Sequence, residues 1–263
     1  MQITIIGAGV MGEIFTTALA RAFPSWQINI ADKNLEKLNG LKKHLKRIKI
    51  FTDNKLAIKN AEIIILAVKP QVFSELSGEI NGLINKKTCV ISIMAGIKIK
   101  TIAEKLFVKK IIRGMPNLGA RVGKSMTVWT DNNLDKKTKA IGKKIFGIIG
   151  KEMWVKNDEV IDKATAVSGS GPGFFFYVVE EWLGAVRSLG FRDDQASELL
   201  LTTIDGANTL LQKEKNPKQL RQQVTSKGGT TESGLEVLQK SGLREIWQNT
   251  LQKAVHRALE LGV

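Results

Sequence analysis

Residues that build disulfide frameworks and metal centres are scarce in this sequence of 263 residues. The single cysteine, Cys89, excludes a disulfide framework and a zinc site made from several cysteines. The two histidines, His44 and His256, lie far apart in the chain and do not support a Ser-His-Asp arrangement. No apolar run approaches the roughly 18 residues that a membrane span needs. We therefore expect no metal site and no membrane partner.

The sequence also has little that is typical of a secreted protein. It runs directly into the segment Gln2-Ile3-Thr4-Ile5-Ile6, without a positively charged leader or a cleavage site. A single cysteine is compatible with a reducing compartment. We expect a cytoplasmic protein.

Acidic residues are few relative to basic ones, and the excess of basic residues lies in one half of the chain. The formal net charge is +15, and residues 1–163 hold 29 Lys and Arg against 14 Asp and Glu. Residues 164–263 hold 11 of each kind. A basic half is compatible with nucleic-acid binding, but these lysines are scattered singly and in pairs, with few aromatic side chains between them. We therefore expect a solvated basic surface and no nucleic-acid partner.

The first half alternates short apolar segments, rich in Ile and Val, with longer amphipathic stretches. This alternation predicts βαβ units and a parallel sheet with right-handed crossovers. The predicted strands occupy residues 3–6, 27–30, 48–51, 62–68, 89–93, 111–114 and 122–129. The predicted helices between them occupy residues 10–23, 35–45, 71–83, 99–106 and 135–149.

A Gly-x-Gly-x-x-Gly motif lies where the first predicted strand meets the first predicted helix. In this motif Gly7 permits the tight turn, Gly9 lets the backbone approach a pyrophosphate, and Gly12 lets the helix pack closely on the sheet. The helix N-terminus offers free N–H groups and a positive dipole end to the phosphates. We predict a dinucleotide site that includes Gly7, Gly9, Val10, Met11 and Gly12.

Two charged residues after the second predicted strand indicate opposite cofactors. Asp32 lies where a carboxylate usually accepts hydrogen bonds from the ribose hydroxyls of NAD. Lys33 follows it and offers a partner to the 2′-phosphate of NADP. A different interpretation is that Asp32 caps the next helix. The predicted cofactor is therefore NADPH or NADH, with a slight preference for NADPH.

The carboxyl ends of two further strands are predicted to contact the cofactor, because doubly wound sheets bind ligands at that edge. An ordinary exit from strand to turn is the alternative for the earlier of the two segments. The residues are Ala67, Val68, Lys69, Pro70, Met115, Pro116 and Asn117.

The pattern becomes helical almost throughout after the Gly-rich joint at residues 168–172. Helices are predicted at residues 173–189, 193–213, 217–224, 231–240 and 244–261. With the change in charge, this switch predicts a Rossmann-like dinucleotide-binding domain over residues 1–160 and an all-helical domain over residues 161–263. The predicted fold class is α/β, with a doubly wound parallel sheet and an all-α C-terminal domain.

An eight-residue segment, 224–231, joins two of the C-terminal helices and holds two glycines and four hydroxyl side chains. Small residues and backbone N–H groups at a helix N-terminus are typical of an anion site. A flexible connection between helices is the alternative. We predict that this loop binds an anionic group.

Taken in order and spacing, these motifs resemble those of the pyrroline-5-carboxylate reductase family over nearly the whole chain. The resemblance implies NAD(P)H-dependent reduction of 1-pyrroline-5-carboxylate to L-proline, the last step of proline biosynthesis. It also implies a helical domain that interlocks with a second subunit as a homodimer. The motifs are Gly7-x-Gly9-x-x-Gly12, Ala67-Val68-Lys69-Pro70-Gln71, Arg113-x-Met115-Pro116-Asn117, Ser168-Gly169-Ser170-Gly171-Pro172 and Ser226-x-Gly228-Gly229-Thr230-Thr231.

The resemblance further implies roles for the loop residues. The loop holds the substrate carboxylate, and the Thr231 hydroxyl hydrogen-bonds the ring nitrogen, which makes Thr231 the expected catalytic residue. The substrate-binding residues implied are Ser226, Gly228, Gly229, Thr230 and Thr231.

The sequence departs from the family's usual pattern at three places. Leu118 and Gly119 stand where Thr-Pro is usual, and Lys227 stands where a proline is usual. Gly173 and Phe174 stand where Ala-Tyr is usual. A proline restricts the backbone, so Lys227 loosens the loop or adds a charge near the substrate carboxylate.

Two other functions stay open on the sequence alone. The same fold serves reductases of other small imines and of β-hydroxyacids. A β-hydroxyacid dehydrogenase needs a lysine general acid in its helical domain. Lys213 and Lys215 lie late on a predicted helix in a charged stretch, which argues against this function. The other alternative is a non-catalytic relic of a reductase, which binds a polyanion.

Overall fold

An eight-stranded sheet forms the first part of the molecule, in a computed structural model that describes residues 1–261. Most of its strands are buried apolar segments, as expected where helices cover both faces. In chain order the strands are β1 (Gln2–Ile6), β2 (Gln27–Ala31), β3 (Lys49–Phe51), β4 (Ile63–Leu66), β5 (Cys89–Ser92), β6 (Lys110–Met115), β7 (Ser125–Asp131) and β8 (Gly150–Trp154).

The strand order is β3-β2-β1-β4-β5-β6-β7-β8. The first six strands pair in parallel and have the order typical of a Rossmann sheet. β7 runs antiparallel to β6, and β8 is parallel to β7. Only nine residues join β6 to β7, fewer than the about a dozen that a parallel crossover needs. The predicted α/β class is confirmed. The last two strands of the sheet run opposite to the other six.

Helices cover both faces of this sheet, and alternate residues of β4 separate two apolar cores. Ile63 and Ile65 pack in the core that includes residues of α1, α2 and α6, whereas Ile64 and Leu66 pack in the core of α3, α4 and α5. Burial on both faces explains why β4 is apolar at every position. The helices are α1 (Val10–Ala22), α2 (Leu35–His44), α3 (Asn54–Ile58), α4 (Phe73–Ile80), α5 (Ile99–Leu106), α6 (Lys136–Gly147) and α7 (Asp158–Ala164).

The chain divides into two compact units, one of Met1–Pro172 with the residues from Lys253 onward, and one of Gly173–Gln252. Helices build the second unit, which we call the helical unit. The predicted domain boundary at residue 160 stays a prediction. The remaining helices are α8 (Gly171–Ser188), α9 (Asp193–Glu214), α10 (Pro217–Gln223), α11 (Thr230–Lys240) and α12 (Leu243–Glu260).

Three elements have no clear signal in the sequence pattern. α3 has five residues, too few for a helical period, and β8 carries the polar residues Lys151 and Glu152 at the sheet edge. α7 precedes a π-helical turn, Thr165–Gly169, which leads directly into α8. The Gly-rich segment predicted as a joint is therefore mostly helical.

Candidate active site

A crevice lies at the carboxyl ends of β1, β2 and β4, with a volume of about 290 Å³. β1 lies between β2 and β4 in the sheet. The helix after β1 packs in one core and the helix after β4 packs in the other. This reversal of direction is the place where open α/β sheets bind their ligands.

The glycine-rich loop forms one wall of the crevice. Gly7 has a φ of +104°, and a Cβ there would lie 2.6 Å from the Ala67 carbonyl oxygen. A Cβ on Gly12 would overlap the Gly7 carbonyl oxygen, so this glycine permits the close packing of α1. Gly9 is the N-cap of α1, and nothing lies within 4 Å of its Cβ position. This open side, with the free N–H groups of the first turn, fits a pyrophosphate.

Asp32 connects the end of β2 to the glycine-rich loop. Its Oδ2 accepts a hydrogen bond from the Ala8 N–H at 2.7 Å, and its Oδ1 accepts one from the Asn34 N–H at 2.9 Å. The N-cap of α2 is Asn34, whose side chain accepts from the Lys37 N–H. The alternative role of Asp32 as a helix cap is therefore wrong. Its half-buried carboxylate is held at the crevice, where it can accept from a ribose hydroxyl.

The crevice brings together about half of the predicted cofactor residues. Pro70 begins a 3₁₀ turn beside the crevice, and Val10, Met11 and Gly12 begin α1. The segment after β6 lies two strands from β4 at the same edge of the sheet. For Pro70, for the first residues of α1 and for the segment after β6, contact with a cofactor stays a prediction. The predicted residues that line the crevice are Gly7, Gly9, Asp32, Lys33, Ala67, Val68 and Lys69.

Two acidic residues of α4, Glu75 and Glu79, also line the crevice and were missed by the sequence interpretation. Lys33 Nζ donates a hydrogen bond to Glu75 Oε1 at 2.5 Å. This bond and the Lys33 charge lower the pKa of Glu75, and the same bond raises the pKa of Lys33. Glu79 Oε2 accepts from Asn54 Nδ2 at 2.9 Å. The available signal was an i, i+4 acidic pair on the helix that follows β4.

The turn after β6 is fixed by Asn117. Its Oδ1 accepts from the Gly119 N–H at 2.9 Å, and its own N–H donates to Ser125 Oγ at 3.0 Å. A Cβ on Gly119 would lie 2.8 Å from the Lys124 carbonyl oxygen. A proline at residue 119 could not donate to Asn117. The departure at Gly119 is thus an adaptation of this turn.

The Gly-rich segment after α7 packs against the end of β6. A Cβ on Gly169 would lie 3.0 Å from Met115 Cε, so the absence of a side chain lets Met115 pack there. Ser168 Oγ donates to the Ala164 carbonyl oxygen at 3.0 Å and is turned towards its own helix. This motif therefore supports the end of β6 through packing.

A second candidate site is the loop between α10 and α11 in the helical unit. Gly228 has a φ of +73°, and the Gly229 N–H donates to the Ser226 carbonyl oxygen at 3.0 Å. A Cβ on Gly229 would overlap Ser226 Oγ, so a side chain there would force Ser226 to move. Gly229 is the N-cap of α11, and Thr230 and Thr231 are its first residues. The loop thus brings the predicted substrate residues to one helix N-terminus.

Two amides of this loop are already engaged, because Gly229 N–H bonds the Ser226 carbonyl oxygen. Gly228 N–H donates to Glu232 Oε2 at 2.7 Å. Thr230 and Thr231 lie in the first turn, where backbone N–H groups have no partner within the helix. Both side chains are exposed. A carboxylate ligand would find backbone donors at these two residues, with two hydroxyls beside them.

The chain offers little protein-based chemistry that competes with a bound cofactor. Residues 1–261 contain no cluster of three or more His, Cys, Asp or Glu that could hold a metal ion. Burial raises the pKa of the Cys89 thiol to about 12, so Cys89 is not a nucleophile at neutral pH. No helix in this range is long and apolar enough to cross a membrane.

Comparison with known proteins decides between the families that share this fold. The pyrroline-5-carboxylate reductase of Staphylococcus haemolyticus is 33% identical over 267 aligned residues, which cover 99% of this chain and 98% of the relative. The chain belongs to the pyrroline-5-carboxylate reductase family. The enzyme of the same name from Staphylococcus aureus strain COL is 32% identical over a similar span.

Family models and solved structures agree with this membership. Residues 158–261 match the pyrroline-5-carboxylate reductase dimerisation model, and residues 2–96 match the model for coenzyme F420-dependent NADP oxidoreductases. A pyrroline-5-carboxylate reductase from Coxiella burnetii has a TM-score of 0.86 at 32% identity, covering 99% of this chain and 98% of that chain. A Plasmodium falciparum pyrroline carboxylate reductase with NADP bound has a TM-score of 0.89 at 24% identity, covering 100% and 98%. The second likeness concerns the fold alone.

Proposed function

We propose that this protein reduces 1-pyrroline-5-carboxylate to L-proline with NADPH or NADH, the last step of proline biosynthesis. The observation that carries the proposal is membership of the reductase family over 99% of the chain. The crevice at β1, β2 and β4 supplies the dinucleotide site that such a reaction needs.

The first unit holds the cofactor. The bound nicotinamide supplies the hydride that reduces the imine carbon. The first turn of α1 receives the pyrophosphate, the Asp32 carboxylate accepts from the ribose, and the segments after β4 and β6 contact the remainder. The residues with this proposed role are Gly7, Gly9, Val10, Met11, Gly12, Asp32, Lys33, Ala67, Val68, Lys69, Pro70, Met115, Pro116 and Asn117.

The loop before α11 holds the substrate. Backbone N–H groups at Thr230 and Thr231 donate to the substrate carboxylate, helped by the positive end of the helix dipole. The Thr231 hydroxyl hydrogen-bonds the ring nitrogen and assists its protonation as the adjacent carbon gains hydride. Orientation of this kind contributes about 7–11 kcal/mol in favourable intramolecular reactions. Ser226, Gly228 and Gly229 complete the substrate site.

The active form is a homodimer joined through the helical unit. Among residues 173–252, all of which the structure describes, only Ala196 and Leu200 are buried. Phe176 and Trp182 of α8 are 54% and 49% exposed, more apolar surface than a small unit normally leaves in water. The match to a dimerisation model over residues 158–261 supports a self-associating surface. A cytoplasmic location and the absence of a nucleic-acid partner are further parts of this proposal.

The decisive experiment follows the absorbance of NADPH and NADH with purified protein and pyrroline-5-carboxylate. Substrate-dependent oxidation of either cofactor, with production of proline, is the expected result. A β-hydroxyacid with NAD(P)⁺ and an unrelated cyclic imine are the matched controls for other reductases on this fold. Turnover of a control in preference to pyrroline-5-carboxylate would reassign the substrate. Inertness towards all of them, with salt-sensitive binding of a polyanion, would favour the non-catalytic relic.

A further inference from the structure

A salt bridge joins two residues that line the dinucleotide crevice, Lys33 and Glu75. Lys33 follows β2, Glu75 lies on α4 after β4, and β1 with its glycine-rich loop lies between those two strands. The two side chains are 42 positions apart in sequence, and both line the crevice. The bond therefore joins the segment after β2 to the helix after β4 at this site.

The position of Asp32 would put this bridge next to the ribose of a bound dinucleotide. Asp32 is the neighbour of Lys33 and is anchored by the Ala8 and Asn34 N–H groups. A ribose that donates to Asp32 has its 2′-position beside Lys33. A 2′-phosphate there carries about −1.5 to −2 charges at pH 7 and needs a cationic partner. Three lysines line the crevice, and the one that follows Asp32, Lys33, is already bonded to Glu75.

We propose that Glu75 is a cofactor-specificity residue, which disfavours NADPH by occupying Lys33 and by facing the 2′-phosphate with a like charge. NADH has no 2′-phosphate and leaves the Lys33–Glu75 bridge intact. This inference rests on the proposed function, since it concerns the dinucleotide of that same site. Glu75 acts on the discrimination between cofactors and not on hydride transfer.

The effect is limited in size because the bridge is solvent-exposed. The side chains of Lys33 and Glu75 are each 68% exposed, and exposed pairs contribute little. We expect a change of about 3- to 10-fold in affinity, the scale of an exposed pair combined with one like-charge contact. Glu79 is a matched comparison because it lies one turn further on α4 and lines the same crevice, but bonds Asn54.

The test measures binding of two probes, 2′,5′-ADP and ADP, to the full chain by calorimetry. Glu75→Gln should tighten 2′,5′-ADP by about 3- to 10-fold and change ADP by less than about twofold. Glu79→Gln removes a charge near Lys33 but no hydrogen bond to it, so it should change 2′,5′-ADP by less than Glu75→Gln does and ADP by less than about twofold. With Lys33→Met already in place, Glu75→Gln should have a smaller effect, because only the like-charge repulsion is then left to remove. The kcat/KM ratio of NADPH to NADH should rise in Glu75→Gln by the same factor.

The outcomes separate this inference from the proposed function. Equal changes for both probes would overturn the role of Glu75, and an undiminished effect of Glu75→Gln in Lys33→Met would overturn its action through Lys33, while the reductase activity stands. Failure of the wild-type protein to bind either probe, together with no turnover of either cofactor, would overturn the proposed function and this inference with it.

Discussion

Arg113 and Asp162 form a buried ion pair beneath the end of β6. Arg113 Nη2 lies 2.6 Å from Asp162 Oδ1, and the two side chains are 1% and 2% exposed. Arg113 Nη1 also donates to Asp158 Oδ1 at 2.8 Å, and the other oxygen of Asp158 accepts from the Ile99 N–H. The cluster joins β6, α7 and the start of α5. Its arginine, Arg113, lies two residues before Met115 in β6.

Breaking this cluster from one side should be costly. Arg113→Met removes the cation and leaves the Asp162 carboxylate buried without its partner, a change that typically costs about 3–5 kcal/mol. Urea unfolding at a fixed protein concentration measures the loss in the free energy of unfolding. Arg113→Met combined with Asp162→Leu should recover part of that loss, since the fully buried carboxylate is then absent and only the partly exposed Asp158 has lost its cation. A single variant as stable as the wild type would mean that the pair adds nothing to stability.

Substitutions in the glycine-rich loop should distinguish the binding role of Gly9 from the packing role of Gly12. Gly9→Ala places a methyl group in open space, so the melting temperature should change little while NADH and NADPH affinity falls by about tenfold or more. Gly12→Ala forces a methyl group onto the Gly7 carbonyl oxygen and should lower the melting temperature as well. Gly40→Ala, on α2 with nothing within 4 Å, is the matched control and should leave affinity unchanged. Unaltered cofactor binding in Gly9→Ala would contradict the pyrophosphate assignment.

We expect the charge of Asp32 to affect the choice between NADPH and NADH. Asp32→Ser removes a carboxylate that accepts from ribose hydroxyls and repels a 2′-phosphate, so kcat/KM for NADPH relative to NADH should rise by about tenfold. The Ala8 N–H loses its acceptor, and a modest loss of stability, about 0.5–1.5 kcal/mol, should accompany the change. Steady-state kinetics with both cofactors measures the ratio. A lower stability with an unchanged ratio would leave Asp32 a structural anchor of the glycine-rich loop.

The sequence predicts features that arise locally and misses those that depend on distant parts of the chain. The Gly-x-Gly-x-x-Gly motif needs only a strand before it and a helix after it, and the structure has both. Strand direction at β7 depends on a short connection that composition does not reveal. The Lys33–Glu75 and Arg113–Asp162 pairs join residues more than 40 positions apart. Nothing in a single sequence identifies which lysine meets which carboxylate.

The exposed apolar face of α8 makes dimerisation testable by charge. Phe176→Glu and Trp182→Glu each put a carboxylate on a position that is exposed in one subunit, so each subunit should still fold. Burial of these carboxylates in a dimer interface would be costly, so the dimer should dissociate. Sedimentation should then find monomer at a concentration where the wild type is a dimer. Leu56→Glu on α3 is 60% exposed and is the matched control, with no expected change in mass. A fully active wild-type monomer would remove the basis of the dimer proposal.

Thr231 lies in the first turn of α11 and is not its cap, because Gly229 holds the N-cap position. Loss of its hydroxyl should therefore have little effect on stability, within about 0.5 kcal/mol for an exposed side chain. Its effect on catalysis should be much larger. Thr231→Ala should lower kcat/KM by about 10- to 1,000-fold, equivalent to about 1.4–4 kcal/mol for a lost transition-state hydrogen bond. Thr231→Ser keeps the hydroxyl and should stay within a few-fold of the wild type. Since the two variants differ only in that hydroxyl, full activity in Thr231→Ala would move the contact with the ring nitrogen to Ser226 or to an ordered water molecule.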